Sequence, residues 1–132
     1  MPNAADSLAS VPLFAGLSGR QLRKIAKSTT EITYEAGDLI VREGGRTKTL
    51  FVVLEGTARV VRNDRTIARR SAGDYIGEIS MIDQRPRAAS VIADTPMRCL
   101  ILDHDDLRKL VARDPHVAWS MLQTLAGLLR DK

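Results

Sequence analysis

Hydrophobic residues follow a helical spacing near the start of the chain. Ser18 and Gln21 stand at the spacing of a capping box, which predicts a helix from Gly19 to about Ser28. Its inward-facing positions are expected to be Leu22, Ile25 and Ala26. The residues before Val11 are polar and Ala-rich and show no periodic pattern, so we expect residues 1–10 to form a flexible N-terminus.

The pattern then changes to short apolar or alternating runs, which are typical of β-strands. Glycines and the pair Asn63 and Asp64 separate these runs from one another. The runs are Ile32 and Tyr34, Leu39 to Val41, Leu50 to Leu54, Ala58 to Val61, Thr66 to Ala68, Ala89 to Ala93, and Met97 to Leu102. Short strands at this spacing predict an antiparallel jelly-roll β-barrel.

Helical spacing returns after the last of these runs. Asp103 is expected to begin one helix, whose apolar positions are Leu107, Leu110 and Val111. Asp114 followed by Pro115 has the pattern of a helix start with proline in the first turn, and predicts a final helix that runs nearly to Lys132. The predicted fold class is therefore mainly β with flanking helices, in a single domain spanning residues 11–132.

Length and composition narrow the classes of function. A chain of 132 residues, of which 44% are hydrophobic and 27% charged, predicts one globular domain without room for a separate catalytic domain. The net charge is +4, and the 20 basic residues are interspersed with 16 acidic ones, which is typical of a solvated surface rather than a nucleic-acid interface. No P-loop, Ser-His-Asp arrangement or DNA-binding helix-turn-helix is legible, so we predict neither an enzyme nor a DNA-binding motif in this chain.

The single cysteine and the lengths of the apolar runs indicate the cellular compartment of the protein. Cys99 lies in an apolar run and has no partner for an internal disulfide, which favours a reducing cytoplasm. The run from Leu50 to Leu54 is far shorter than the roughly 20 residues needed to cross a bilayer. The sequence therefore predicts a cytoplasmic protein without a targeting or transmembrane segment.

One segment interrupts the strand pattern and carries residues suited to binding an anion. Gly77 allows the backbone to approach a ligand closely. A turn that begins at Glu78 leaves the N–H groups of Ile79 and Ser80 free to bind an anion. Arg87 offers two parallel donors to a phosphate, so the segment predicts a phosphate site.

Glu78 needs a separate explanation, because a carboxylate repels phosphate. It is expected to accept a hydrogen bond from a donor, and a sugar hydroxyl is the obvious choice. A phosphate with an adjacent hydroxyl describes a ribose phosphate, and when the phosphate is cyclised onto the ribose only the 2′-hydroxyl stays free. One carboxylate and one arginine-centred anion site match that ligand.

The segment resembles the phosphate-binding cassette of the cyclic nucleotide-binding domains, a family that includes catabolite activator protein, the regulatory subunit of protein kinase A and cyclic nucleotide-gated channels. The cassette of that family reads Gly-Glu, a small residue two positions after the Glu, an apolar residue, a short spacer, and then Arg, a small residue and Ala. The matching residues are Gly77, Glu78, Ser80, Met81, Arg87, Ala88 and Ala89. The resemblance extends from Leu13 to about Leu129, and residues 77–89 are called the cassette below.

The resemblance implies a role for each cassette residue. It implies that Glu78 accepts from the ribose 2′-hydroxyl and that Arg87 pairs with the cyclic phosphate. The backbone N–H groups that complete the phosphate site are then those of Ser80, Ala88 and Ala89. The resemblance also implies a sensor that is not an enzyme and needs neither a metal nor a cofactor, with the cyclic nucleotide as its regulatory ligand.

The identity of the base depends on fewer residues. Family members that prefer cGMP often carry Thr after the cassette Arg, so Ala88 favours cAMP over cGMP. Val60 and Ile67 are the candidates for an apolar wall beside the base.

Two features depart from the family's pattern. After Gly44 relatives usually carry an acidic or amide residue and later a small one, whereas this chain has Gly45 and Thr47. The base-capping and dimerising part of the family's C-terminal helix is expected to lie mostly beyond Lys132. The resemblance still implies signalling through the C-terminal helix, whose apolar surface exceeds one narrow stripe and suits a homodimer or a partner protein.

Other interpretations stay open. A vestigial member of the family would bind no nucleotide and act as an interaction or dimerisation module, through Leu122, Leu125 and Leu129 of the last helix. Glu78 and Arg87 would form only a surface ion pair if the segment were an ordinary turn. The acidic cluster at residues 103–106 has ligand types that bind metals, but acidic residues are also typical of a helix start.

Overall fold

The computed structural model describes residues 3–131, which divide into two compact units. One unit runs from Thr30 to His104, and the other is formed by the segments before and after it. The helices are α1 (Ala4–Ala9), α2 (Gly19–Ala26), α3 (Glu78–Asp83), α4 (His104–Arg113) and α5 (Pro115–Arg130). The span 11–132 as a single domain stays a prediction.

The strands all belong to the unit between Thr30 and His104. They are β1 (Thr30–Tyr34), β2 (Leu39–Val41), β3 (Thr49–Glu55), β4 (Ala58–Arg62), β5 (Arg65–Arg70), β6 (Tyr75–Ile76), β7 (Ser90–Ala93) and β8 (Met97–Asp103). They form two four-stranded antiparallel sheets, with the orders β1-β8-β3-β6 and β2-β7-β4-β5. The predicted fold class, mainly β with flanking helices and a jelly-roll arrangement, is confirmed.

The strands of the predicted jelly-roll β-barrel form two separate sheets that do not close into a barrel. Strand β5 is hydrogen-bonded to β4 and ends one sheet, and β6 is bonded to β3 and ends the other. Strand β6 has only two residues, which pair with Phe51 and Val52 of β3, and no further strand is hydrogen-bonded to it in the described part of the chain. The result is a sandwich whose sheets meet through side chains rather than through backbone hydrogen bonds.

The core of this unit takes apolar side chains from both sheets. Alternating strand positions supply it, as in β7, where Val91 and Ala93 are buried and their neighbours are partly exposed. The buried members are Val41, Phe51, Val53, Ala58, Ile76, Val91, Ala93, Met97 and Cys99. Burial raises the pKa of the Cys99 thiol to about 11, as expected for a small apolar core residue rather than a reactive one.

The predicted helix at Gly19 is confirmed and is held by the expected capping box. The Gln21 backbone N–H donates to Ser18 Oγ at 3.1 Å, and the Ser18 N–H donates to Gln21 Oε1 at 2.9 Å. Asp114 stands before Pro115 at the start of α5, also as predicted. Its side chain makes no capping hydrogen bond by the geometry of the helix start, and it accepts from Lys24 Nζ at 2.9 Å.

A short helix precedes Val11, in the segment for which the sequence shows no periodic pattern, and the flexibility of residues 1–10 stays a prediction. Helix α1 begins after Asn3, whose side chain accepts from the Asp6 N–H at 2.9 Å, while Asp6 accepts from the Asn3 N–H at 3.3 Å. Leu8 is fully buried and anchors this helix by apolar packing. A single apolar residue leaves no periodic signal in a sequence, and residues 1 and 2 of the predicted flexible segment lie outside the described residues.

Helix α5 has a buried side and an exposed side. Val117 and Met121 are buried, and Thr124 Oγ1 lies close to Gly16 in the same unit. The exposed apolar residues of the helix are Trp119, Leu122, Leu128 and Leu129. Within residues 3–131 no helix is both long enough and apolar enough to cross a membrane.

Candidate functional site

The cassette begins with a backbone conformation that favours glycine. Gly77 has φ +84° and ψ 24°, in the left-handed region, and directly precedes α3. A side chain at this position would collide with the guanidinium of Arg87 and would come within 3.0 Å of the Thr49 carbonyl oxygen. Gly77 is therefore required both for the turn and for the close approach of Arg87.

Arg87 is the one charged side chain that is buried among residues 3–131, with 5% of its surface exposed. Its Nε donates to Thr47 Oγ1 at 3.2 Å, Nη1 donates to the Gly77 carbonyl at 3.4 Å, and Nη2 donates to the Thr49 carbonyl at 2.5 Å. Because a guanidinium has five N–H donors, these three bonds leave one N–H on each terminal nitrogen for a ligand. This is the pair of donors that a phosphate accepts in a bidentate contact.

The connection between β2 and β3 fixes the backbone of Arg87. The Gly44 N–H donates to the Arg87 carbonyl at 2.8 Å, and the Arg87 N–H donates to the Gly45 carbonyl at 2.9 Å. The departures from the family's pattern thus lie beside the site, with Gly45 and Thr47 both bonded to Arg87. Sequence reasoning assigned no role to Thr47, because nothing local to it signals a partner 40 residues away.

Glu78 is half-buried at the start of α3. Burial raises the pKa of its carboxyl group above the ordinary value, while the nearby backbone N–H groups and the charges of Arg70 and Arg87 act to lower it. The pKa of Arg87 is in turn lowered by burial, and the charge of Glu78 acts to raise it. The two charged groups predicted for the site therefore interact within one partly desolvated region.

A cavity of about 390 Å³ brings most of the predicted site residues together. Those that line it are Val60, Gly77, Glu78, Ser80, Arg87, Ala88 and Ala89. Its other walls are Val41, Arg70, Asp74, Tyr75, Ile76 and Val91. The volume lies within the range typical of small-molecule sites.

Two of the predicted site residues do not line this cavity. Ile67 lies on β5 with 50% of its surface exposed, and Ile79 lies on α3 with 56% exposed. Ile67 has no partner in the pairing of β4 with β5, whose register shifts between Val60 and Val61, whereas the next residue, Ala68, pairs with Val60 of the cavity wall. The structure therefore does not place Ile67 in an apolar wall, and it gives Ile79 no side-chain contact with the cavity.

The first two residues of the acidic cluster at residues 103–106 form hydrogen bonds within the unit that contains the strands. Asp103 Oδ1 accepts from Thr49 Oγ1 at 2.7 Å, and His104 Nδ1 lies 2.7 Å from the Met81 carbonyl oxygen of α3. Asp105 and Asp106 occupy the first turn of α4, where negative charge favours a helix. Among residues 3–131 no group of three His, Cys, Asp or Glu side chains is placed to hold a metal ion.

Comparison with known sequences gives the family of this chain. A family model described as the cyclic nucleotide-binding domain matches residues 31–114. The chain is 34% identical over 117 residues to the cGMP-dependent protein kinase, isozyme 1, of Drosophila melanogaster, covering 83% of this chain and 15% of that protein. It is 32% identical over 106 residues to the cAMP-dependent protein kinase regulatory subunit of Aspergillus niger, covering 79% of this chain and 26% of that protein. The chain thus spans a minor part of these relatives.

Comparison with solved structures gives the same result. The N-terminal domain of a transcriptional regulator from Streptomyces coelicolor A3(2) is similar, with a TM-score of 0.88 and 34% identity, over 96% of this chain and 92% of that one. Thermus thermophilus catabolite activator protein is also similar, with a TM-score of 0.74 and 30% identity, over 91% of this chain and 59% of that one. Both likenesses cover nearly the whole of this chain.

Proposed function

Because the chain belongs to the cyclic nucleotide-binding domain family, we propose that its cavity binds a cyclic nucleotide as a regulatory ligand. The family is regulatory rather than catalytic. Arg87 pairs with the cyclic phosphate, Glu78 accepts from the ribose 2′-hydroxyl, and the backbone N–H groups of Ser80, Ala88 and Ala89 complete the phosphate site.

The observation that carries this proposal is the buried Arg87 in the cavity wall. A guanidinium that is 5% exposed is costly to bury unless its donors are satisfied, and two of its N–H groups are left over from its bonds to the protein. A monoanionic phosphate supplies both the opposite charge and two acceptors. Glu78 in the same cavity then accepts from a hydroxyl of the ligand rather than from the phosphate.

We propose cAMP as the preferred nucleotide. Ala88 offers no hydroxyl to a guanine base, and it lines the cavity beside Arg87. The names of the relatives include both a cGMP-dependent kinase and a cAMP-dependent regulatory subunit, so the preference depends on Ala88 alone. Calorimetric titration with cAMP, cGMP and 5′-AMP tests the ligand, and we expect cAMP to bind more tightly than the other two.

The variant Arg87→Ala tests the residue that carries the proposal. Loss of the charged partner of an enclosed phosphate is expected to cost roughly 2 to 5 kcal/mol of binding free energy. The matched control is Arg85→Ala, because Arg85 lies two residues away and is exposed. Thermal melting of both variants separates a loss of binding from a loss of fold, and unchanged affinity in a folded Arg87→Ala protein would refute the assignment.

We also propose that occupancy of the site is signalled through α5. Such coupling requires the ligand to bind two arrangements of the helix with different affinity. Trp119 is the only tryptophan in the chain and is 62% exposed on this helix, so its fluorescence reports on the surroundings of α5. We expect the emission to change on saturation with cAMP but not with 5′-AMP, and an unchanged spectrum at saturation would argue against signalling through α5.

The second candidate is an interaction module that does not respond to nucleotide. The apolar residues exposed on α5, among them Trp119, Leu122 and Leu129, favour it. Sedimentation with and without cAMP distinguishes the two candidates. A concentration-dependent dimer indifferent to cAMP would favour the module, and a nucleotide-dependent change would favour the sensor.

A further inference from the structure

A second arginine lines the cavity beside Glu78. Arg70 lies at the end of β5, is partly exposed, and shares the cavity wall with Glu78 and Arg87. It lies outside the cassette and has no role in the binding scheme proposed above. Its position in the strand explains how it comes to face the site.

The register of β4 and β5 places Arg70 on the cavity side of its sheet. Ala68 pairs with Val60, which lines the cavity, and Arg70 pairs with Ala58, which is fully buried. Residues two apart on a strand share a face, so Arg70 lies on the same face as Ala68. The intervening Arg69 points the other way, and its Nη1 donates to Asp94 Oδ2 at 2.6 Å.

The charges of the cavity are balanced only when Arg70 is counted. The other charged residues in its wall are Asp74, Glu78 and Arg87, which together carry an excess of one negative charge. Asp74 is tied to its own turn, since its Oδ2 accepts from the Ser71 N–H at 2.8 Å. Without Arg70, an anionic ligand would therefore approach a wall of the same sign of charge.

Arg70 is close enough to the two ionisable groups on its side of the cavity to affect both. Its charge acts to lower the pKa of Glu78, and it acts in the same direction on the pKa of Tyr75. Its Nη1 donates to the Arg69 carbonyl at 3.0 Å, which leaves other N–H donors of the guanidinium free for the cavity.

We propose that Arg70 is the counterion of Glu78, a positioning residue that offsets the carboxylate's charge so that Glu78 accepts from the ribose hydroxyl without repelling the phosphate held by Arg87. This inference rests on the proposed function. A residue of β5, outside the cassette, thereby takes part in binding the nucleotide.

Substitution of Arg70 tests the inference by calorimetric titration with cAMP. Removal of this positive charge leaves an excess of one negative charge on the cavity wall and raises the pKa of the Glu78 carboxyl group, so Arg70→Gln is expected to weaken cAMP binding by roughly tenfold. Arg70→Lys keeps the charge and is expected to restore most of the affinity. The matched control is Arg69→Gln, the neighbouring arginine on the opposite face, which is expected to bind cAMP like wild type.

A double-mutant cycle distinguishes a counterion from a direct ligand contact. If Arg70 acts through Glu78, the effect of Arg70→Gln shrinks markedly in a Glu78→Gln background. An equal loss in both backgrounds would overturn the inference, because Arg70 would then act on the nucleotide itself. Thermal melting of each variant confirms that the proteins compared are folded.

The pH dependence of the affinity for cAMP tests the role of Arg70 further, because a residue that only supports the fold would not shift this dependence. The charged or titratable groups that share the cavity wall with Glu78 are Arg70 from β5, Asp74 from the turn after β5, Tyr75 from β6 and Arg87 from the cassette. Removing the charge of Arg70 raises the pKa of Glu78 further, so the loss of affinity on acidification should begin at a higher pH in Arg70→Gln than in wild type. An unshifted profile would contradict the inference.

Titration of the wild-type protein with the nucleotides distinguishes a failure of the proposed function from a failure of the inference about Arg70. If wild type binds none of the nucleotides, the proposed function fails and this inference falls with it. If wild type binds cAMP and Arg70→Gln binds it equally well, only the inference fails.

Discussion

The close packing of Gly77 against Arg87 yields a prediction in which backbone strain and ligand binding are measured separately. In Gly77→Ala, the alanine must adopt the left-handed φ of +84°, and its Cβ must collide with the Arg87 guanidinium, whose Cζ would lie 2.9 Å from that Cβ. The backbone term alone costs about 1 to 2 kcal/mol. The collision has no inexpensive solution, because the Thr49 carbonyl at 3.0 Å limits movement on the other side.

The matched control for this variant is Gly37→Ala. Gly37 has nearly the same φ, +91°, but no atom lies within 4 Å of where its side chain would start. Both variants should therefore lose a similar amount of stability from backbone strain, seen as a fall in melting temperature of roughly 2 to 8 °C per kcal/mol. Only Gly77→Ala should displace Arg87 from the cavity wall.

The assay is calorimetric titration of both folded variants with cAMP. Displacement of the guanidinium should remove roughly 2 to 5 kcal/mol of binding, which is at least about a thirtyfold loss of affinity. Gly37→Ala should bind like wild type. Equal affinities in the two variants would refute the reasoning, because they would show that the contact between Gly77 and Arg87 does not set the position of the phosphate ligand.

Three further predictions concern single residues. Burial raises the pKa of Glu78 in the folded protein, so the protonated carboxyl group is favoured there, and the stability that it contributes is lost as pH rises through the folded-state pKa. Because glutamine resembles the protonated carboxyl group at every pH, Glu78→Gln should melt higher than wild type at neutral pH and at the same temperature below about pH 4. Thr47→Val removes an acceptor of Arg87 and should cost about 0.5 to 1.5 kcal/mol of stability and weaken cAMP binding, whereas Thr49→Val keeps the carbonyl that accepts from Arg87 and should leave affinity unchanged. The buried Cys99 thiol, with a pKa of about 11, should resist alkylation at neutral pH until the protein is unfolded, and rapid labelling of the folded chain would contradict its burial.

The sequence predicted elements best where many residues repeat one pattern. The run Met97 to Leu102 differs from β8 by one residue at its end, and the run Ala58 to Val61 differs from β4 by one residue at its end. Strand β6 was missed because Tyr75 and Ile76 are too few to show an alternation, and their strand character comes only from pairing with β3. Long-range partners of this kind leave no trace in local spacing.

The candidate site shows the same division between local and long-range information. The cassette glycine, glutamate and arginine are fixed by a short motif, and the structure gathers them in one cavity. Ile67 was chosen for its apolar character, but the pairing of β4 with β5 slips by one residue between Val60 and Val61, so local alternation does not reveal which face of β5 lines the cavity. The same register places Arg70 in the wall, which a search for apolar residues overlooks.

Burial disfavours both charged groups of the candidate site. It raises the pKa of Glu78 and lowers that of Arg87, and the opposite charge of each group partly offsets the effect of burial on the other. A ligand that brings an anion to Arg87 and a hydroxyl donor to Glu78 satisfies both groups at once, so its binding free energy adds to the free energy of unfolding. We therefore expect saturating cAMP to raise the melting temperature of wild type, and to raise that of Glu78→Gln by less, although this variant melts higher without ligand. A larger increase in the variant than in wild type would contradict the role of the Glu78 carboxylate as an acceptor for the ligand.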